Sequence, residues 1–320
     1  MKKWIALMVA LMMTLACAGV YAEGLTYTVG ICQQMPHAAM NEAVRGFRDT
    51  LESSMGEGRV TFVMETAQGS SEECLTIAQK FVADGVDLIL ANGTGAVAAA
   101  SAATQEIPVV GASVTEFGAA LGIEEFTGVI GGNVTGVSDL APLREQAGMI
   151  HEIFPDAKTV GILYSTDEPN STYQVKKMQE YLEALNLNTL LFPFTDAQDV
   201  AQVTKAAAQV SDVIYLPTDN TVAFNAKAIG KEALALKVPV VGGDEYVCAD
   251  CGVVTLGVDY YYIGEKAGKM AAMILTGAPV DTMEIAYAER FTKVFNPEIC
   301  EQLGIDRLQL ETMGYTAIVK

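Results

Sequence analysis

The sequence predicts an α/β protein of two tandem Rossmann-like lobes, each a mostly parallel sheet covered by helices on both faces. Three observations lead there. Short β-rich runs alternate with amphipathic stretches from Thr26 onward, and that alternation calls for parallel strands joined by helical crossovers. The rhythm breaks at Gly131-Gly132-Asn133-Val134-Thr135-Gly136, after which a second series of the same kind begins. Finally, 320 residues, 51% of them apolar, are enough to fill two cores.

Taken in order, Met1-Lys2-Lys3-Trp4 and the apolar run to Leu15 have the charged and hydrophobic regions of a secretory signal, too short to span a bilayer comfortably. Val20-Tyr21-Ala22 supplies the small residues a signal peptidase needs, so residues 1–22 are expected to be removed and the chain exported, to a periplasm or a cell surface. The alternative is lipid anchoring at Cys17, where Leu15-Ala16-Cys17 fits the tail of a lipobox but Thr14 stands where leucine is wanted.

In the first lobe, strands are expected at Tyr27–Ile31, Arg59–Glu65, Asp87–Ala91 and Ile107–Gly111. Helices are expected at Met40–Leu51, at Ser71–Ala83 and in the alanine-rich run to Thr104. Ala43, Val44, Phe47 and Leu51 share one stripe of the first helix. The strands exit into Gln33 and His37, into Thr66, Gln68 and Ser70, into Asn92-Gly93-Thr94-Gly95, and into Ser113 and Thr115.

The second lobe is expected to run from a helix at Leu143–Phe154 through strand Thr159–Tyr164 to a helix capped by Asn170 and Ser171. Strand Thr189–Phe194 and a helix to Val210 follow. Val213–Leu216 has the bias of a strand buried on both faces, and Pro217 stops it. Thr218-Asp219-Asn220-Thr221 then precede the helix Val222–Leu236. Val238–Val241 exits into Gly243-Asp244-Glu245, and extended Val253–Val258 hands over at Asp259-Tyr260 to a helix ending near Thr276. The tail carries another extended run and a short helix near Pro297–Leu303. The implied lobes are 23–136 with about 259–280, and 137–258 with about 281–320, joined by short strands at a hinge.

Composition and motifs exclude several classes. With 39 Asp and Glu against 20 Lys and Arg, the chain is a poor match for phosphate backbones, so no nucleic acid is expected. Gly93-Thr94-Gly95-Ala96-Val97-Ala98 satisfies GxGxxA, but it follows the third strand of its lobe rather than the first. Its glycines are read instead as bringing backbone amides and the Thr94 hydroxyl to an anionic group such as a carboxylate. The two histidines, His37 and His151, have no GxSxG elbow and no metal-ligand spacing around them, so neither catalysis nor a metal or other cofactor is expected. Of six cysteines Cys17 leaves with the signal; Cys248 and Cys251 form the sole CxxC, expected as a local disulfide stiffening a surface turn. Cys32, Cys74 and Cys300 are expected to act as small apolar residues.

What remains is a ring of neutral and acidic groups at strand exits: Gln33, Thr94, Ser113, Asn170, Asp196, Asp219, Asn220, Asp244 and Asp259. In open α/β sheets small ligands bind beyond the carboxyl ends of the strands, and an acidic group there would pair an ammonium. Met35, Phe117, Tyr164, Phe224 and Tyr246 are candidates to line an apolar pocket nearby.

Seven blocks, VGICQQMPHAAMNEAVRGFRDTL, TAQGS, QKFVADGVDLILANGT, GGNVTGVSDL, FPDAKTVGILYSTDEPNS, VIYLPTDNTV and TLGVDYYYIGEKAGKMAAMIL, resemble in order and spacing the substrate-binding proteins of one type of ABC transporter. Some members of that family bind tryptophan, phenylalanine or tyrosine. The resemblance implies a type I periplasmic-binding-protein (Venus-flytrap) fold, delivery of a small-molecule ligand to a membrane permease, and no catalysis. Carried over to this sequence, it points to Thr94, Asn170, Asp219, Asn220 and Asp244 as ligand contacts. Thr115-Glu116-Phe117 replaces the family's usual Asp-Pro pair, Cys32 replaces a valine, and Cys248 and Cys251 stand beside Asp244. Those departures fall on the side-chain pocket. The expected ligand is therefore a zwitterion, an aromatic or large apolar amino acid, with Thr94 and adjacent amides on its carboxylate and Asp219, helped by Asn220 or Asp244, on its ammonium. The alternatives are a sensory receptor using the same cleft, or another solute such as a sugar or nucleoside.

Overall fold

The structure is a computed structural model that describes residues 25–319; the expected signal and Cys17 lie outside the described residues. The first series of elements is β1 (Tyr27–Gln33), α1 (Ala38–Met55), β2 (Val60–Thr66), α2 (Ser71–Asp84), β3 (Leu88–Asn92), α3 (Thr94–Ala103), β4 (Val109–Val114), α4 (Phe117–Leu121) and β5 (Val134–Ser138). The second is α5 (Leu143–Ile153), β6 (Thr159–Ser165), α6 (Pro169–Ala184), β7 (Asn188–Phe194), α7 (Val200–Val210), β8 (Val213–Leu216), α8 (Asn220–Ala235), β9 (Val240–Gly242), α9 (Glu245–Asp250) and β10 (Val254–Val258). The tail supplies α10 (Tyr260–Leu275), β11 (Ala286–Tyr287), β12 (Phe291–Phe295), α11 (Pro297–Leu303), α12 (Arg307–Thr312) and β13 (Thr316–Ala317).

Two sheets result, ordered β11-β5-β4-β3-β1-β2 and β13-β12-β10-β9-β8-β6-β7. Pairing is parallel throughout except between β10 and β12, so the carboxyl ends of the central strands in each sheet share one edge. Strands β3 and β4 are buried along their whole length, as β-rich runs covered on both faces must be. One face of the first sheet packs against α1 and α10 and the other against α2 and α3. The second sheet is covered by α5 and α6 on one face and by α7, α8 and α9 on the other.

Three crossings join the lobes. The chain leaves the first sheet after β5, returns from β10 into α10, and crosses again between β11 and β12. Helix α10 is fixed to the first lobe by a seam of small residues. A Cβ on Gly264 would lie 2.0 Å from the Ala43 carbonyl oxygen, and one on Gly46 would lie 2.1 Å from that of Tyr261.

Two boundaries differ from the sequence expectation. The glycine-rich stretch is not the crossing: Gly131 and Gly132, at φ +81° and +62°, turn the chain into β5, which pairs with β4 and ends at Ser138. Gly136 is there because strand β4 lies too close for a side chain, its ideal Cβ falling 2.4 Å from the Gly111 carbonyl oxygen. The chain thus leaves the first sheet two residues beyond 136, and residues 286–287 rejoin that sheet rather than the second lobe.

Candidate functional site

The carboxyl edges of the two sheets face each other across a narrow cavity of about 10 Å³. The first lobe contributes His37, Met40, Ser113 and Thr115, and the second contributes Asn170, Thr218, Asp219, Asn220, Ala223 and Asp244. Asp139, just after β5, and Tyr260, at the start of α10, come from the first two crossings. A wider groove of about 300 Å³ adjoins it, with Asn170 in both walls. Leu75, Thr94, Gly95, Ala98, Ala99, Ala102 and Ala120 form one side of the groove, and Asp167, Glu168 and Pro169 the other.

One hydrogen bond closes the cavity directly between lobes, His37 Nε2 to Asn220 Oδ1 at 3.1 Å. Asn220 Nδ2 donates to Glu168 Oε2 at 2.7 Å, which turns Oδ1 toward His37 and makes Nε2 the donor. Glu168 also accepts from the Asn220 and Thr221 amides and the Thr221 hydroxyl, so its carboxylate sits on the positive end of α8.

The three buried aspartates of the cavity differ in how much of each carboxylate is already used. Asp219 Oδ1 accepts from the Val222 amide at 2.8 Å, capping α8, while Oδ2 accepts from the Ser165 amide and Ser171 Oγ, each at 2.7 Å. Burial, and then the neighbouring Glu168, push its carboxyl well above the usual range. Asp244 caps α9 through Oδ1, which accepts from Tyr246 and Val247 amides at 2.8 and 2.9 Å. Burial pushes it up too, against the pull of those amides and of His37. Asp139 Oδ2 accepts from the Tyr260 hydroxyl at 2.9 Å, whereas its Oδ1 has no partner among the described residues. Burial pushes Asp139 up to about 6, with the Tyr260 bond opposing.

Three residues that line this one cavity carry a buried polar atom without a partner among the described residues: Ser113 Oγ, Asp139 Oδ1 and Asn170 Oδ1. Leaving a buried polar group unpaired costs about 1–3 kcal/mol, so such a cluster marks a place built for something else to bind. Ser113 is also strained: the ladder between β4 and β5 is irregular between Gly111 and Val114, and Ser113 stands at φ +52°.

Among the residues expected from sequence, Ser113, Asn170, Asp219, Asn220 and Asp244 meet around the cavity. Gln33 does not. Its Nε2 donates to the Met35 carbonyl and Asn41 Oδ1, and its Oε1 accepts from Asn92 Nδ2, an internal network beneath the site. Thr94 lines the outer groove instead, and the Gly95 amide expected to face an anion already donates to Gln34 Oε1 at 2.7 Å. The glycines of that loop make room for Gln34: a Cβ on Gly93 would lie 2.7 Å from its Oε1. Asp196 and Asp259 only cap helical turns. Phe117 is a core residue, 1% exposed, and Phe224 points outward at 62%. Cys248 and Cys251 are free buried thiols, so the expected surface disulfide is absent. Sequence reasoning missed Thr115, Asp139, Glu168 and Tyr260 as site residues and gave His37 no role. Asp139 was hidden by placing the crossing too early; its signal was a lone carboxylate ending a β-rich run. Among the described residues no group of His, Cys, Asp or Glu is arranged to hold a metal ion.

The profile of the family described as ABC transporter substrate binding protein matches residues 28–311. A tyrosine-binding protein of Clostridioides difficile (strain R20291) is 28% identical over 292 residues, covering 90% of this chain and 84% of that one. The structure of an ABC domain in complex with L-Trp from Streptococcus pneumonia is 27% identical, with a TM-score of 0.86 over 92% of this chain and 100% of the other. A ligand-free, open substrate-binding protein with adhesive properties from Clostridium difficile is 30% identical over the same shares, but its TM-score is 0.71. Twin parallel sheets, a polar cavity closed between them and a family match over nearly the whole chain converge: this protein belongs to the ABC transporter substrate-binding protein family.

Proposed function

We propose that this protein is the extracytoplasmic receptor of an ABC importer, that it closes on an amino acid with an aromatic or large apolar side chain, and that it hands this ligand unchanged to a membrane permease. The observation that carries the reading is the cluster of unpaired buried polar atoms among carboxylates, held between two lobes. The cavity's acidic wall suits an ammonium. Ser113 Oγ supplies a donor for a carboxylate, taking the part first given to Thr94 and the Gly95 amide. The small and apolar residues of the adjoining groove suit a large side chain. The names of two relatives, one tyrosine-binding and one bound to L-Trp, support the same ligand class. Ligand contacts from both lobes favour the closed state, which neither lobe could reward alone.

Export by residues 1–22, with lipid anchoring at Cys17 as its alternative, belongs to the same proposal, and the intact mass of the processed chain distinguishes the two. The test of the ligand is a thermal-shift screen of amino acids, sugars and nucleosides on the processed protein. L-Tyr, L-Trp or L-Phe at a hundred times its Kd is expected to stabilise the fold by about 2.7 kcal/mol. Stabilisation by a sugar or nucleoside alone would overturn the amino-acid reading.

A further inference from the structure

We propose that Asp139 is the carboxylate that receives the ligand's ammonium and that, by bridging two hinge crossings, it ties capture of the ligand to release of a proton. This rests on the reading above, in that the ligand must carry an ammonium group.

Of the three aspartates around the cavity, Asp139 has most capacity left. Both oxygens of Asp219 are filled by its own lobe, and one oxygen of Asp244 holds two amides. Asp139 is 2% exposed, it lines the cavity, and its Oδ1 has no partner among the described residues. Its other oxygen takes the Tyr260 hydroxyl across 121 residues of sequence, so one carboxylate links the chain just after β5 to the chain just after β10. Those are two of the three strands of backbone about which the lobes must turn. A ligand held at Asp139 is thereby held at the hinge itself.

The charge around it is one-sided. The titratable groups facing the cavity are His37 at the start of α1, Asp219 before α8, Asp244 before α9 and Tyr260 on α10, and among the described residues no Lys or Arg lines it. Burial and the like charge of Asp244 hold Asp139 at about 6, so it carries a proton through much of the mildly acidic range. An ammonium arriving at Oδ1 favours the ionised form. The proton on Asp139 then leaves to solvent as the ligand binds, and binding weakens as pH falls through about 6.

The experiment is calorimetric titration of the processed protein with L-Tyr, L-Trp and L-Phe at pH 5 and pH 7.5, each in two buffers of different ionisation enthalpy. For the wild type, affinity is expected to be about tenfold lower at pH 5, with proton release that the buffer comparison reads directly. Asp139→Asn is expected to bind roughly 10- to 100-fold more weakly at pH 7.5 and, at pH 5, to show none of the proton release of the wild type. Tyr260→Phe removes the donor that holds the Asp139 pKa down, so the midpoint of the pH dependence is expected to move up while binding at pH 7.5 persists. Wild-type affinity in Asp139→Asn, proton release that survives in that variant, or an unmoved midpoint in Tyr260→Phe would overturn the proposal. If the wild type binds none of the three amino acids, the amino-acid reading falls first and this proposal with it.

Discussion

At the scale of single residues, the cavity separates two kinds of buried aspartate. Asp219 is architectural: its carboxylate joins the ends of β6, α6 and α8 through three hydrogen bonds. Asp139 is held for another purpose, with one oxygen unpaired and a carboxyl raised from 3.8 to about 6. A carboxyl harder to ionise in the fold than in the unfolded chain opposes folding once pH exceeds both values, and the opposition fades as pH falls toward 4. A rise of that size corresponds to about 3 kcal/mol at pH 7.5. Urea unfolding of the ligand-free protein is therefore expected to show Asp139→Asn more stable than wild type at pH 7.5, by up to about 3 kcal/mol, with the gain shrinking toward pH 4. Asp219→Ala, which strips a helix cap and orphans buried donors, is expected to lose roughly 2–4 kcal/mol under the same conditions. Equal behaviour of the two variants would contradict the distinction.

At the scale of elements, the strand exits and helix caps were legible because they are local. Asp219, Asp244 and Asp259 stand directly before the helices they cap, and Pro217 ends β8 where the ring denies the ladder a donor. The glycines were harder, since one residue type serves several needs. Gly131 and Gly132 provide a left-handed turn, Gly136 permits close strands, and Gly46 and Gly264 permit close helices. The last of these is a test of how α10 is fixed. With the Ala43 carbonyl oxygen 2.0 Å from its ideal Cβ, Gly264→Ala must push α10 off α1. A loss of roughly 1–3 kcal/mol or more in urea unfolding is expected, the range for overpacked seams. An unchanged midpoint would mean that the seam yields easily.

At the scale of the whole molecule, function depends on two lobes that meet over a ligand. The bond from His37 to Asn220 favours the closed arrangement without touching the core of either lobe. His37→Ala should therefore shift the ligand-free protein toward the open form, seen as a larger radius of gyration in X-ray scattering. Binding should weaken about fivefold, as the loss of one hydrogen bond of about 1 kcal/mol implies. A variant as compact as wild type would remove His37 from the closing mechanism.

The sequence by itself determined the alternation of strands and helices, the tandem lobes, the polar strand exits and the family, because each is written in local periodicity, in turn chemistry or in blocks of residues at fixed spacing. Only the tertiary structure decided which of those polar groups line the cavity between the lobes. Gln34 reaches 61 residues along the chain to occupy the Gly95 amide, Gln33 turns inward to Asn92, and Asp139 finds Tyr260 across the hinge. A side chain's spare hydrogen-bonding capacity is what remains after its neighbours in space have taken their share, and neighbours from another crossing or another lobe leave no mark on the periodicity around it.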